Sequence, residues 1–238
     1  MAGTLISLRA YRLYLAVIGR VRRSRTVYRL LFGTWPPRID RRHAGYWDWT
    51  TLALKRALEA GVLTDARILD LGTGPAAVLA ICAKRLDPST RITACDLISD
   101  IVASAARAVS KAGLDVECLQ SDLFSKVSGS FDIVMFNAPY LPALHAEGLV
   151  RSKLDRMRFY GGDDGGEVLR RFLREVPRHL LPNGRVLLGV NHYHIGKDLT
   201  DQIIRQSRLK EVSRIVLKGF SGVAYILRLI ETGKEDIL

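Results

Sequence analysis

One short run constrains this chain more than any other. In Arg67-Ile68-Leu69-Asp70-Leu71-Gly72-Thr73-Gly74-Pro75 an apolar strand passes straight into a glycine-rich turn, and the alanine-rich stretch Ala76 to Leu86 that follows reads as a helix. Gly72 and Gly74 reach backbone angles closed to other residues, and without side chains they let the main chain approach a ligand closely. Strand, glycine turn and helix in this order open an α/β nucleotide-binding sheet. A dinucleotide-binding version would carry a further glycine three residues after Gly74, where the helix packs on the strand. Ala77 stands there instead. Asp70, at the strand end, would repel a diphosphate and suits a cationic ligand group.

The segments that follow repeat the theme. Arg91 to Asp96 is a second short strand ending in an acid, Val116 to Leu119 a third that leads to Ser121-Asp122, and Phe131 to Phe136 a fourth that runs into Asn137-Ala138-Pro139-Tyr140. An acid at the end of the second strand can accept from both ribose hydroxyls, and one after the third suits an adenine amino group. Taken singly, Asp70 could cap the following helix, and Asp96 or Asp122 could be ordinary turn residues. Carboxylates at three successive strand ends, beside a turn that disfavours diphosphate, point together to a positively charged adenosyl cofactor, S-adenosylmethionine.

On these residues the chain resembles the class I S-adenosylmethionine-dependent methyltransferases over roughly residues 45 to 231. The resemblance implies a Rossmann-like α/β fold with seven mostly parallel strands in the order 3-2-1-4-5-7-6, the last antiparallel, and helices on both faces. It assigns cofactor contacts to Asp70, Gly72, Thr73, Gly74, Asp96, Leu97, Ser121, Asp122 and Asn137. Asn137-Ala138-Pro139-Tyr140 is similar to the Asn-Pro-Pro-Tyr motif of enzymes that methylate planar amide or exocyclic amino nitrogens, with Ala138 in place of the first proline. Tyr160-Gly161-Gly162-Asp163-Asp164-Gly165-Gly166 resembles the Gly-Gly-x-Asp-Gly segment of the HemK-type protein-glutamine N5-methyltransferases.

The chemistry asks for such residues. A planar nitrogen has its lone pair delocalised and becomes nucleophilic only when acceptors hold its hydrogens and draw it toward tetrahedral geometry. The Asn137 side-chain oxygen and the backbone oxygen of Ala138 or Pro139 can accept from the target NH2 while the Tyr140 ring stacks on its face. No metal is expected. As a plain fold feature, Asn-x-Pro-Tyr would be a strand-ending turn bent by Pro139 and anchored by Tyr140. The favoured substrate is a protein or peptide glutamine. An adenine N6 amine in RNA or DNA, a small biosynthetic amine, and an inactive cofactor-binding scaffold are the competing readings.

The chain's 238 residues suffice for one well-buried α/β domain and an appendage. No apolar run is long enough to span a bilayer. Cys82, Cys95 and Cys118 lack metal or redox spacing and read as core residues of a reducing compartment, hence a cytoplasmic protein. His192 and His194 share a face if the fifth strand continues through them, as a two-histidine metal site would need; otherwise Asn191 to His194 form a loop lining the substrate pocket. Asp164 and Glu167 have capping-box spacing, predicting a helix from Gly165 or Gly166 to about His179. Pro182-Asn183-Gly184 reads as a turn, Arg185 to Val190 as a strand, Lys197 to Ser207 as a helix, and Glu211 to Lys218 with Val223 to Ile230 as a strand pair about a Gly219 to Gly222 turn. Leu141 to Tyr160, mildly basic and without core periodicity, is a candidate lid.

Residues 1 to 42 form a basic, helical extension before a catalytic domain at 43 to 238. They hold ten arginines against the single acid Asp40, nine of the twelve formal positive charges. Leu5, Leu8, Tyr11, Leu15 and Ile18 recur at helical spacing. The segment suits contact with RNA or the ribosome, an anionic membrane surface, or an organelle presequence bound for a matrix; it equally suits a helix packed on the domain with solvated arginines. Trp35-Pro36-Pro37 marks the break, and Tyr46 to Leu52 opens the first domain helix. There Thr50 or Thr51 stands where the resemblance has an acidic-threonine entry segment, and Trp47 and Trp49 are buried anchors or stacking partners.

Overall fold

The computed structural model describes residues 17–33, 35–36, 46–61, 63–150, 152–217 and 222–230, with the backbone alone at 147–149. The periodic face from Leu5 to Leu15 and the turn at Gly219 to Ser221 lie outside the described residues.

Four parallel strands form the left half and centre of the sheet: β1 (Arg67–Leu71), β2 (Arg91–Asp96), β3 (Glu117–Gln120) and β4 (Phe131–Asn137). β5 (Leu180–Asn191) continues them in parallel, and β6 (Leu209–Val216) and β7 (Gly222–Leu229) close the sheet antiparallel. The seven strands stand in the order β3-β2-β1-β4-β5-β7-β6, as the resemblance implied. Alternation explains why the central strands read as unbroken apolar runs. Ile68, Ile133, Met135 and Leu187 join one hydrophobic cluster, whereas Leu69, Leu71, Val134, Phe136, Val186 and Leu188 join the other. Successive side chains point to opposite faces, so a strand covered on both sides must be apolar throughout.

Helices cover both faces. Residues 17–23 are helical, and α1 (Arg25–Phe32) follows, capped by the Ser24 side chain and ended by Gly33 in the left-handed region. Its Tyr28 and Phe32 pack into the cluster that also holds α2 (Trp49–Glu59) and α3 (Val78–Leu86), against which α4 (Ser99–Lys111) also packs. The opposite cluster takes α7 (Glu167–Glu175) and α8 (Lys197–Arg205). Trp47 is a buried anchor, edge-on to Trp49. Cys82 and Cys95 are buried, Cys118 partly so, and all are free thiols.

Some local expectations need correction. α3 starts at Val78, two residues late, because Ala77 has φ 45°, in the left-handed region. The Asp164–Glu167 capping box does not form. Asp164 accepts from the Gly166 amide at 2.8 Å and pairs with Arg170, and Glu167 is the first helical residue rather than the third, its amide donating to Gly161 O at 2.7 Å. Pro182-Asn183-Gly184 is a bulged excursion inside β5: Phe131 pairs with Leu180 and Ile133 already with Arg185, Asn183 taking φ 66°. Within Leu141 to Tyr160, the candidate lid, the described residues form two short helices, α5 (Ala143–Leu149) and α6 (Lys153–Phe159).

β1 and β4 lie side by side while the chain leaves them in opposite directions across the sheet. Such a switch point opens a crevice at the carboxyl ends of the strands.

Candidate active site

That crevice is a cleft of about 730 Å³ whose wall includes Asp70, Gly72, Thr73, Gly74, Asp96, Leu97, Ser121, Asp122, Asn137, Pro139 and Tyr140. The topology thus brings the cofactor and catalytic candidates assigned above to one cleft. Gly72 and Gly74 have φ 63° and 68°, and a Cβ on Gly74 would meet nothing within 4 Å, so the turn presents bare backbone to open space. Asp70 is buried; its Oδ2 accepts from Thr73 Oγ1 at 2.7 Å and from the Ala80 amide at 3.2 Å, which ties the strand end to the first turn of α3. Burial pushes the Asp70 carboxyl up to about 7 against those bonds. Asp96 takes the Gly74 amide at 3.2 Å and the Ile98 amide at 3.1 Å, and burial raises it too. Each of its oxygens keeps a further lone pair for a hydroxyl. Leu97 presents a partly exposed apolar wall beside it. Ser121 turns its hydroxyl inward to Leu123 O at 2.8 Å, while Asp122 stands at the rim in an ion pair with Arg171.

β4 delivers Asn137 to the far side. Its Nδ2 lies 3.3 Å from each oxygen of Asp48, whereas Oδ1 is buried and has no hydrogen-bond partner among the described residues. Tyr140 lies beside it, hydroxyl 3.4 Å from Thr50 Oγ1 and ring 5.9 Å from His194 at 18°. The glycine segment sits behind this loop. A Cβ on Gly161 would fall 2.8 Å from Pro139 O and 2.9 Å from Tyr140 Cα, and one on Gly165, itself at φ 80°, 2.6 Å from Tyr140 O. Only glycines let the two backbones pack this closely.

α6 roofs the cleft through Met157, Arg158 and Phe159, with α5 beside it. The Leu141 amide donates to Phe159 O and the Gly161 amide to Leu141 O, so the helices hang from the motif loop itself. Arg158 reaches the cleft from α6; burial lowers its pKa and Asp96 opposes that. His194 also lines the cleft, with its Nδ1 3.3 Å from that of His145 on α5. Burial first, then His145, holds His194 down to about 4. His192 turns away to Ile195 O and the Tyr225 hydroxyl. The two histidines therefore diverge, and among the described residues no cluster of three His, Cys, Asp or Glu could hold a metal.

Sequence reasoning missed Asp48, Arg22, His145 and Arg158. Asp48 was detectable only as a helix cap: with Thr51 it forms a capping box at the start of α2. Its contact with Asn137 spans 89 positions, and no local pattern announces it.

A sheet of this order with a glycine turn after β1, an acid after β2 and an Asn-x-Pro-Tyr loop after β4 is the arrangement that the resemblance to class I methyltransferases implied. Residues 44–154 match the methyltransferase small domain model. The chain is 36% identical over 128 residues to a release factor glutamine methyltransferase from Deinococcus radiodurans, covering 52% of this chain and 45% of that one. It is 34% identical over 157 residues to a ribosomal protein uL3 glutamine methyltransferase from Bradyrhizobium diazoefficiens, covering 60% and 47%. In sequence it is thus similar to the HemK-type glutamine methyltransferases, and it spans about half the length of these curated relatives. A methyltransferase structure from Pyrococcus furiosus superposes over 92% of this chain and 97% of its own, with TM-score 0.63 and 19% identity. A Thermus thermophilus 16S rRNA N2 G1207 methyltransferase, solved with AdoMet and guanosine, covers 79% of this chain and 44% of its own, with TM-score 0.56 and 20% identity. These two establish the fold.

Proposed function

We propose that this chain is an S-adenosylmethionine-dependent N-methyltransferase whose acceptor is the side-chain amide of a glutamine in a protein or peptide. The reading assigns catalysis to residues 43–238 and leaves 1–42 as a basic extension. Asn137 carries it: its buried Oδ1 has no hydrogen-bond partner among the described residues, which costs about 1–3 kcal/mol, and the residue lines the cleft, so an acceptor NH2 group that reaches Oδ1 would satisfy it. The names of the curated relatives support the same acceptor.

The cleft fits the cofactor. Gly72 to Gly74 offer backbone without side chains, Asp96 has lone pairs for a ribose diol, Leu97 gives adenine an apolar face, and Asp70 tolerates a cation where a diphosphate would be repelled. Ser121 and Asp122 sit where an adenine amino group would be met, Asp122 at the rim and Ser121 through its backbone. When bound, the cofactor supplies a methyl group activated on a sulfonium. The chain's own contribution is positioning. Asn137 Oδ1 and the backbone oxygen of Ala138 or Pro139 hold the amide hydrogens, and the Tyr140 ring limits the plane in which the amide lies. The proton leaves after transfer, so no strong base is needed. His194 alongside its ring and Thr50 on its hydroxyl hold Tyr140 in place beside Asn137.

The test is radiolabelled methyl transfer into release factor and uL3 proteins, with RNA as the competing acceptor. Asn137→Ala should lower turnover at least about a hundredfold while cofactor affinity survives. Undiminished turnover would remove Asn137 from the chemistry. Among the described residues no helix is long and apolar enough to cross a membrane.

A further inference from the structure

Asn137 does not set its own orientation. A carboxamide has two ends of nearly equal shape, one donating and one accepting, and a half-turn about its last bond exchanges them. Both Asp48 oxygens lie 3.3 Å from the Asn137 nitrogen. A carboxylate only accepts, so the amide NH2 must face it and Oδ1 must face the other way; the reversed rotamer would set an amide oxygen against a negative charge. Asp48 in turn is held from several sides. It caps α2 by accepting from the Thr51 amide at 2.7 Å and the Thr51 hydroxyl at 2.8 Å. Arg22, in the helical stretch 17–23, approaches its other oxygen at 4.0 Å and donates through Nε to Trp47 O. Both Arg22 and Asp48 line the cleft.

We propose that Asp48 is a positioning residue for methyl transfer, selecting the Asn137 rotamer that offers an oxygen to the acceptor nitrogen, and that Arg22 steadies Asp48 from the N-terminal segment. The proposal rests on the role given to Asn137 above. It makes at least one arginine of the basic segment a working part of the site, independent of any partner the remaining arginines engage.

Asp48→Asn separates this from a structural role. Asparagine caps a helix as well as aspartate, so α2 keeps its start. Its own carboxamide can satisfy Asn137 either way round, so the rotamer is no longer selected. Asp48→Ser retains a capping oxygen but is too short to reach Asn137. Both variants should lose turnover by about tenfold to a hundredfold, the range typical of partners that orient a working group. The Kd for S-adenosylhomocysteine and the melting temperature should stay at their parental values, and the loss should fall on kcat rather than on the cofactor's KM. Arg22→Met should move turnover the same way by a smaller factor. An independent reading comes from the Asn137 side-chain NH2 resonances, identified by their disappearance in Asn137→Ala: both Asp48 variants should shift them. Parental turnover in Asp48→Asn and Asp48→Ser while Asn137→Ala is inactive would overturn the positioning role and leave the proposed function standing. Losses explained by weaker cofactor binding or melting would also overturn it. Full activity in Asn137→Ala would sink both.

Discussion

Gly161→Ala tests the idea that the glycine segment exists to brace the motif loop. Its added Cβ would lie 2.5 Å from Gly165 O, 2.8 Å from Pro139 O and 2.9 Å from Tyr140 Cα, all of them backbone atoms. Unstrained heavy-atom contacts sit near 3.5 Å, so the loops must part by roughly 0.5 to 1 Å. Overpacking of this kind costs about 1–3 kcal/mol. Moving apart also strains the bonds that join the two segments, Gly161 N to Leu141 O at 2.9 Å and Glu167 N to Gly161 O at 2.7 Å. Each contributes about 1 kcal/mol, so weakening both by about half brings the total to about 2–4 kcal/mol. At about 2–4 °C per kcal/mol for a chain of this size, calorimetry should show the melting temperature falling by roughly 5–15 °C. Turnover measured well below the melting point should fall as well, because the atoms displaced belong to the loop that carries Asn137 and Tyr140, and misplacement by about 1 Å can cost a hundredfold. Gly129→Ala is the control: it sits at φ 84° with nothing within 4 Å, so backbone strain is its whole cost. It should lose about 1 kcal/mol and keep full turnover. A Gly161→Ala protein that melts and turns over like its parent would refute the bracing argument.

Two predictions concern pH. Asp70 titrates at about 7 when folded against 3.8 in the open chain, so the folded protein binds the extra proton between those values and stability falls as pH rises through that window. Asp70→Asn should flatten that slope in denaturant titrations from pH 4 to 7, and an unchanged slope would show that Asp70 is not the group responsible. His194 has the opposite sign: held down to about 4 from 6.5, it stays neutral while the unfolded chain protonates, so it makes stability rise with pH between 4 and 6.5. Its ring resonances should report a neutral imidazole at pH 6, and a titration near 6.5 would mean that the burial holding it down, with the His145 contact, is lost in solution.

The sheet was legible because its central strands must be apolar on both faces, and the glycine turn after β1 fixed where the cleft would open. Asp96, Asn137 and Tyr140 were legible for the same reason: each ends or follows a strand, and strand ends meet at one edge. What escaped was long-range or depended on competition between local bonds. Asp164 looked like a helix cap, but Arg170 and the Gly166 amide take its carboxylate and Gly161 takes the Glu167 amide, so the helix begins later than the spacing implies. The lid helices are too short for periodicity to show. Asp48 announced itself as a cap and nothing more, since its reach to Asn137 depends on how α2 lies across β4 and β5. His145 meets His194 only because α5 folds back over the loop after β5.

The acceptor proposed for this chain is the amide nitrogen of a glutamine. Tandem mass spectrometry of release factor and uL3 proteins, incubated with the purified chain and S-adenosylmethionine, tests it most directly. The added mass of one methyl should appear on the side-chain nitrogen of a glutamine and be absent when Asn137 is replaced by alanine. A methyl found on an RNA base, or on a different side chain, would contradict it.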